Sequence, residues 1–433
     1  MYGFNGKSTN LRLGKHLALQ HKMEDYQSSS GESFPFLELP PELILRVCDY
    51  LDSFTVINIL SKVCLFLSDL ANDELIWKTR IRKRWPRKRY PAVQTNNIDW
   101  KDACISRESE YRKWANPAEH MQRKDIHFGI CIDVAHITKN DHLIIGLRNH
   151  TLYNFKISDI PMACSSDGVA QDGENHSIYV NDISSKTTFQ KFAHEGWIWA
   201  ICSDESKLCS GGWDAKIKLW EYSGEEISSY KCGSAVLCSS MMGNEILAGT
   251  FNKTLFKIDS RCKEPIASQK IHARAVLCMQ QTKRWIITSS ESKIINIIDR
   301  NTLKTINTAK IPAGYPGCMS LVGNTMYIGS NLGAIYIYSF DEQLGCLAYI
   351  ETIENGHEKT VRSVRQTLGC IVTASKDSMC KIWEPSGTPS VIHTLSSTKE
   401  KDEICTMDYR NDKLVMGTGE GTLSLFRLKQ TNT

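Results

Sequence analysis

Beyond about residue 120, apolar and polar residues alternate along the chain in recurring packets. The clearest runs from His194 to Trp220, HEGWIWAICSDESKLCSGGWDAKIKLW, and its layout returns from His357 to Trp383 as HEKTVRSVRQTLGCIVTASKDSMCKIW. Each packet reads as three short β runs, with β-branched and aromatic residues in alternation and turns between them. In both, an Asp stands six residues before the closing Trp and a His stands 26 before it. A third copy, His272 to Ile298, keeps the His spacing and loses the Asp and the Trp. A unit of this size cannot bury both faces of its own sheet, so its repetition implies stacking about a common axis.

Alignment on the closing residue extends the series to Phe155, Trp220, Ile258, Ile298, Tyr338, Trp383 and Phe426, at intervals of 65, 38, 40, 40, 45 and 43. A period near 40 with four strands per unit is the signature of propeller blades. The pattern resembles the WD40 repeat family over roughly residues 119 to 433, and the resemblance implies a seven-bladed, all-β propeller. After Phe426 only RLKQTNT remains, too little for an outer strand and its turn. The expected outer strand of the last blade is therefore His120 to Phe128, since an open ring would expose an unpaired edge. The excess of about 25 residues in the first interval falls on SDIPMACSSDGVAQDGENHS and reads as a long loop within blade one.

Upstream the period changes. From Phe34, Leu43, Ile44, Val47 and Leu51 follow at helical spacing after Pro40 and Pro41, which fit a helix start. Asp52 and Ser53 offer a cap to a second helix with Val56, Leu60, Val63, Cys64 and Leu67; Asn72 and Asp73 cap a third with Leu75, Trp77, Ile81 and Trp85. The core is marginal and the apolar positions are too many for one face of each helix, so a partner should cover the surplus. The order from Leu39-Pro40-Pro41 through Val63-Cys64 to Trp77 resembles an F-box, with Leu65 departing from the basic or polar residue common after the V-C pair. The resemblance implies docking on a Skp-type adaptor through Leu39, Pro40, Pro41, Leu43, Ile44, Val47, Leu51, Leu60, Val63, Cys64, Leu67 and Trp77. The bland alternative is a helical subdomain whose surplus packs on the propeller.

The expected order is a disordered tail over 1–33, the F-box over 34–86, a helical linker over 87–118 and the propeller over 119–433. In the linker, Trp100, Cys104, Tyr111 and Trp114 share one helical face, which suits a stiff connector. Seven Lys or Arg among the ten residues from Arg80 to Arg89 could serve nuclear import or nucleic acid, but read more simply as a solvated helix end. The net charge of +4 on 52 basic and 48 acidic side chains is close to balanced, which argues against a dedicated nucleic-acid or membrane binder. No apolar run reaches the length of a signal peptide core or a membrane span, so a soluble protein of the cytoplasm, the nucleus or both is expected. Sixteen cysteines include no C-x-x-C pair and should be reduced and structural. Cys238, Cys278 and Cys318 occupy a small-residue slot that Ala200 and Ser363 fill elsewhere. No cofactor or metal is expected.

His194, Ser210 and Asp214, like His357, Thr373 and Asp377, have the residue types of a nucleophile triad. Yet the set repeats, which a single active site would not require, and each copy ends at a Trp (Trp220, Trp383) whose indole N–H needs a buried acceptor. The WD40 resemblance implies a structural hydrogen-bond chain instead. It also implies that partners bind a top rim, here Arg148, Trp197, Trp199, Trp213, Phe251, Glu291, Tyr315, Asn331, Arg362 and Lys376. Helical module, linker and blades together resemble the F-box/WD-repeat proteins, and the Trp85-Pro86 and Tyr90-Pro91 pairs narrow the likeness toward one member of that series. That family implies a non-catalytic substrate receptor of a cullin-RING ubiquitin ligase, with an unknown protein target. The alternative is a WD40 scaffold without a ligase role.

Overall fold

The computed structural model describes residues 39–84, 100–162, 177–179, 187–384, 390–397 and 401–429. The disordered tail expected over 1–33, the second half of the basic run and most of the blade-one loop lie outside these residues. The chain divides into two compact units, one of residues up to 88 with 95–110, the other of 89–94 with 111–433.

The first unit is helical. Helix α1 spans Pro41–Tyr50, opening on a proline whose missing N–H a first turn does not need. Helix α2 spans Ser53–Asn58 and is capped by Asp52, whose side chain accepts from the Thr55 amide at 2.9 Å. A 3₁₀ turn at Leu60–Lys62 leads to α3, Leu65–Asn72, and then α4, Glu74–Arg84. Helix α5, Trp100–Ala115, contributes its earlier turns to this unit. Ile44, Cys48, Val56, Phe66, Leu67, Leu70, Trp77 and Ile81 form its buried interior with Ala103 and Cys104.

The second unit is a ring of seven sheets. Blade 1 takes strands Ile132–Ile137, His142–Leu147, Thr151–Lys156 and Thr187–Phe192, and blades 2 to 6 repeat the four-strand meander from Ile198 to Ser396. Blade 7 holds Ile404–Arg410, Lys413–Thr418 and Thr422–Leu428, and its fourth strand comes from before blade 1: Met121–His127 pairs antiparallel with Leu428–Thr422. The expected ring closure is thus made by a segment some 300 residues upstream of its partner. All seven closing residues stand in third strands and are buried. The excess of blade 1 falls between its third and fourth strands; it is not wholly loop, because Ser177–Tyr179 runs parallel to Asp125–His127 and adds a fifth strand to blade 7.

Each inner strand begins with one aliphatic residue and then a bulge, the register slipping by one residue in all seven blades. That first residue packs over a small residue on the second strand of the preceding blade. Val236 covers Gly211, Val276 covers Gly249, Val361 covers Gly329 and Ile132 covers Gly417 across the closure. A Cβ on Gly329 would lie 2.5 Å from Cys318 Sγ and 2.6 Å from Val361 Cγ1, so only glycine fits. The slot read as requiring a small residue, occupied by Cys318 and its counterparts, is the other wall of this contact.

Gly329→Ala should therefore overpack the seam between blades 5 and 6 by about 1–3 kcal/mol. The expected result in thermal unfolding is a lowered midpoint that Val361→Ala, added to the same chain, partly restores. Strictly additive losses would show that the two positions do not press on one another.

Candidate protein-docking surfaces

In the helical unit, the interior is closed by a buried cation. Arg80, 4% exposed, donates to Glu108 Oε1 from Nε at 3.0 Å and Nη2 at 2.9 Å, and from Nη1 to the Cys48 carbonyl at 2.5 Å; Nη2 also reaches the Leu51 carbonyl. Glu108 Oε2 accepts from the Ser53 amide at 2.6 Å, and Arg84 reaches Oε1. Burial pushes the Glu108 carboxyl up, but the Arg80 charge, the Ser53 N–H and Arg84 together hold it below its ordinary range. The basic run is therefore not a uniformly solvated helix end: Arg80 ties the carbonyls at the end of α1 to Glu108. The face expected on α5 also differs, because Arg107 is buried while Tyr111 is exposed.

With that core closed, a set of apolar side chains stays outside it. Leu43, Val47 and Tyr50, at i, i+4 and i+7, form an exposed stripe on α1, with Tyr50 81% exposed. Ile59, Val63 and Leu65 are exposed around the passage from α2 to α3. Of the adaptor-docking candidates, Pro40, Leu43, Val47 and Val63 are exposed, while Leu39, Leu51, Leu60 and Cys64 are half-buried. Ile44, Leu67 and Trp77 are wholly buried, and Trp77 Nε1 donates to the Ala71 carbonyl at 2.8 Å. These three, expected at the docking surface, fill the interior of the module instead. Tyr50 and Ile59, not among the expected contacts, join the exposed set, and the spacing of Tyr50 from Leu43 and Val47 is legible in the sequence.

In the propeller unit, the seven bulges place Asp133, Trp199, Leu237, Leu277, Gly317, Arg362 and Cys405 at equivalent positions where the inner strands begin. A bulge leaves its extra residue outside the ladder and re-aims the side chain. The Arg362 guanidinium of blade 6 lies 5.3 Å from the Trp199 ring centre of blade 2. Those blades are not neighbours, so the two side chains meet over the mouth of the central channel.

The patch spreads outward from this pair. Trp213 stands 6.2 Å edge-on from Trp199, 5.5 Å from Trp197 and 6.3 Å from Phe251, and Arg148 covers Trp197 at 5.1 Å. Trp197, Trp213 and Phe251 are exposed. Every cation here has a nearby acceptor. Arg148 Nη2 donates to Asp133 at 2.7 Å, and that hydrogen bond, against desolvation, raises its pKa. Arg362 Nε donates to the Cys405 carbonyl at 3.2 Å, and Lys376 donates to Glu403 at 2.8 Å. Tyr315 and Asn331 belong to blade 5, where the Tyr315 amide donates to Asn331 Oδ1 at 2.6 Å; Glu291 lies 4.0 Å from Arg274. No contact joins these three to the tryptophan cluster among the described residues. Asp133 and Glu403, which neutralise the rim, were not singled out from the sequence; the bulge that aims Asp133 has no residue signature.

The repeated His sets lie beneath this rim. His194 Nδ1–H donates to Asp214 at 3.0 Å, Nε2 faces Ser210 Oγ at 2.7 Å, and Ser210 Oγ accepts from Trp220 Nε1 at 2.8 Å. In blade 6 the corresponding distances among His357, Asp377, Thr373 and Trp383 are each 2.8 Å. Both hydroxyl residues are sealed off, Ser210 being 1% exposed and Thr373 0%, so an acyl substrate has no approach to either oxygen. Burial opposes ionisation of Asp214 and Asp377, but the His hydrogen bonds, the His charge and neighbouring amides hold both carboxyls below the usual range. Blades lacking the set are not left to apolar packing alone. His272 Nε2 bonds Thr288 Oγ1 at 2.9 Å and its Nδ1 lies 3.3 Å from Asn296 Nδ2, while Tyr336 O–H donates to the Ala313 carbonyl at 2.8 Å in blade 5.

These two units have counterparts among known families. An F-box-like model matches residues 36–83, and the WD domain, G-beta repeat model matches residues 184–221 and 348–384. A helical F-box-like module and a WD40 propeller thus lie on one chain, the combination that the F-box/WD40-repeat proteins carry. It is similar to human F-box/WD repeat-containing protein 9, 27% identical over 405 residues that cover 91% of this chain and 82% of the relative. It is also similar to the Caenorhabditis elegans F-box/WD repeat-containing protein mec-15, 25% identical over 72% of this chain and 76% of the relative. The Trp85-Pro86 and Tyr90-Pro91 pairs, which suggested the ninth-numbered member of the series, lie outside the described residues. In fold alone, the WD40 propeller of Doa1 superposes with a TM-score of 0.54 at 16% identity, covering 69% of this chain and 93% of that one.

The titrating groups give a pH profile with two windows. Burial lowers His272 from 6.5 to about 4, so the unfolded chain takes up a proton there before the folded one does. Stability should be intact above pH 6.5 and fall between pH 6.5 and 4, and His272→Gln should flatten that part of a midpoint-versus-pH curve. The lowered Asp377 contributes above its unfolded pKa of 3.8, a contribution lost only as pH falls below that. His357→Ala should cost about 1–3 kcal/mol at neutral pH, because it removes the buried hydrogen bonds that the imidazole makes to Thr373 and Asp377 and leaves Trp383 and the neighbouring amides as their remaining partners. An unchanged unfolding midpoint for His357→Ala would contradict the structural role.

Proposed function

We propose that this chain is the substrate-recognition subunit of an SCF-type cullin-RING ubiquitin ligase. The exposed set of Leu43, Val47, Tyr50, Ile59, Val63 and Leu65 binds a Skp-type adaptor, which links the chain to the cullin scaffold. The propeller holds a target protein on the rim built from Trp197, Trp199, Trp213, Phe251, Arg148 and Arg362. The single observation that carries this reading is an apolar surface left outside a closed core, within the segment that the F-box-like model matches. A small module that satisfies its own interior, including the Arg80–Glu108 pair, has no internal use for that surface.

On this reading the chain makes and breaks no bonds. It contributes proximity: a target held near a charged E2 presents its lysines at high effective concentration. Aromatic and Arg side chains are the types that dominate interface energetics, and the rim is rich in both. Because Arg148, Lys376 and Arg362 already have acceptors, the rim favours an apolar or aromatic segment of the target over a phosphorylated one.

Two variants of the full chain separate the surfaces. Val47→Asp, at an exposed position, should abolish co-purification of adaptor and cullin from cell extract while leaving the unfolding midpoint near that of the wild type. Trp213→Ala should keep adaptor and cullin and lose the target. Absence of adaptor from the wild-type complex would favour the scaffold alternative, and nuclease-sensitive recovery would favour a nucleic-acid role.

A further inference from the structure

Two of the ring's cysteines stand apart from those sealed in its sheets. Cys209, Cys238, Cys318 and Cys380 are buried in the sheets, and desolvation or thiol neighbours raise each of their pKa values. Cys202 and Cys209 face one another across blade 2 inside the same core. Cys131 and Cys405 differ in place and surroundings. Cys131 precedes the inner strand of blade 1, and Cys405 is the bulged residue of blade 7, half-buried at the channel mouth. Their sulfurs are 3.9 Å apart across the seam that closes the ring.

The environment suits thiol chemistry. Cys131 Sγ donates a hydrogen bond to Asp133 Oδ1 at 3.5 Å, Arg148 in turn binds Asp133, and Cys405 Sγ faces the Glu403 carbonyl at 3.7 Å. The Cys131 contact, with the Arg362 and Lys376 charges, lowers Cys405 despite burial, while Cys131 is raised. Cys405 is the thiolate-forming member and Cys131 stands in reach of it as the resolving thiol.

We propose that Cys131 and Cys405 are a peroxide-oxidised thiol pair whose disulfide ties blade 1 to blade 7. The Cys405 thiolate attacks one oxygen of hydrogen peroxide, the O–O bond breaks and hydroxide leaves, giving a sulfenic acid. Cys131 then attacks Cys405 Sγ and displaces the second oxygen as water. Two thiols and one peroxide become one disulfide and two waters, the thiols supplying both electrons. Closing the sulfurs from 3.9 Å to about 2.05 Å takes a rotation of either side chain together with any shift of the bulge that carries Cys405. Arg362, bonded to the Cys405 carbonyl and lying over Trp199, moves with that bulge. The proposal does not depend on the ligase reading.

Peptide mapping of the full chain under non-reducing conditions tests it, after graded hydrogen peroxide and thiol blocking. A Cys131–Cys405 linked peptide should form at lower peroxide than that which oxidises the exposed Cys262, and a thiol reductant should remove it. In Cys131→Ser, Cys405 should instead accumulate as a sulfenic acid that dimedone traps. Cys405 remaining a thiol while Cys262 is oxidised, or linkage of Cys405 to any other cysteine, would overturn the assignment, and the wild-type mapping alone decides this.

Discussion

The propeller depends on one pairing: Met121–His127 laid along Thr422–Leu428. The other sheets are assembled from strands that follow one another in the chain, apart from the short Ser177–Tyr179 strand that leaves blade 1 for blade 7, while this pairing joins segments some 300 residues apart. Without it, blade 7 has an unpaired edge and Ile132 has no ground to cover Gly417, so the last inter-blade contact fails with the last strand. Anchors cluster at the same place. Trp114 is wholly buried and packs 5.9 Å from Tyr409, Lys113 donates to Asp412 at 2.7 Å, and the Lys429 amide donates to the His120 carbonyl at 2.6 Å. The Cys131–Cys405 pair and the His136–Asp408–Arg365 chain, with His136 Nδ1 2.9 Å and Arg365 Nε 2.5 Å from Asp408, span this seam or its neighbour.

Close approach of the blades has a second consequence. To seat an apolar residue over a small one, most often a glycine, every inner strand bulges at its start, and the bulge re-aims one residue per blade. The device that packs the ring therefore also aims a residue of each blade out of its ladder, among them Asp133, Trp199, Arg362 and Cys405. Blades 2 and 6 place Trp199 and Arg362 there, which is how an indole and a guanidinium from distant blades come to meet. Chemistry at the rim is thus free to vary while the packing beneath it stays fixed.

That separation explains what could be read from the sequence. The blades were legible because strand period, turn residues and closing aromatics are local, and the closing strand followed from a missing one. The tetrads were legible as a spacing. The rim was only partly so: Trp197, Trp199 and Trp213 were found by position, but Asp133 and Glu403, which neutralise its cations, are set by bulges and by neighbouring blades. In the helical module, apolar surplus was visible, but the sequence could not say which residues the core would keep. Ile44, Leu67 and Trp77 go inside and Tyr50 and Ile59 stay out because the Arg80–Glu108 pair fixes how the helices meet, a contact 28 residues apart with no local pattern.

Hydrogen exchange of the full chain, with and without a purified Skp-type adaptor, tests the division of labour most directly. The account predicts slowed exchange confined to residues 41–84, strongest around α1 and the passage from α2 to α3, with the propeller strands unchanged. Adaptor-induced protection on the inner strands of the ring, or none anywhere in the chain, would contradict it.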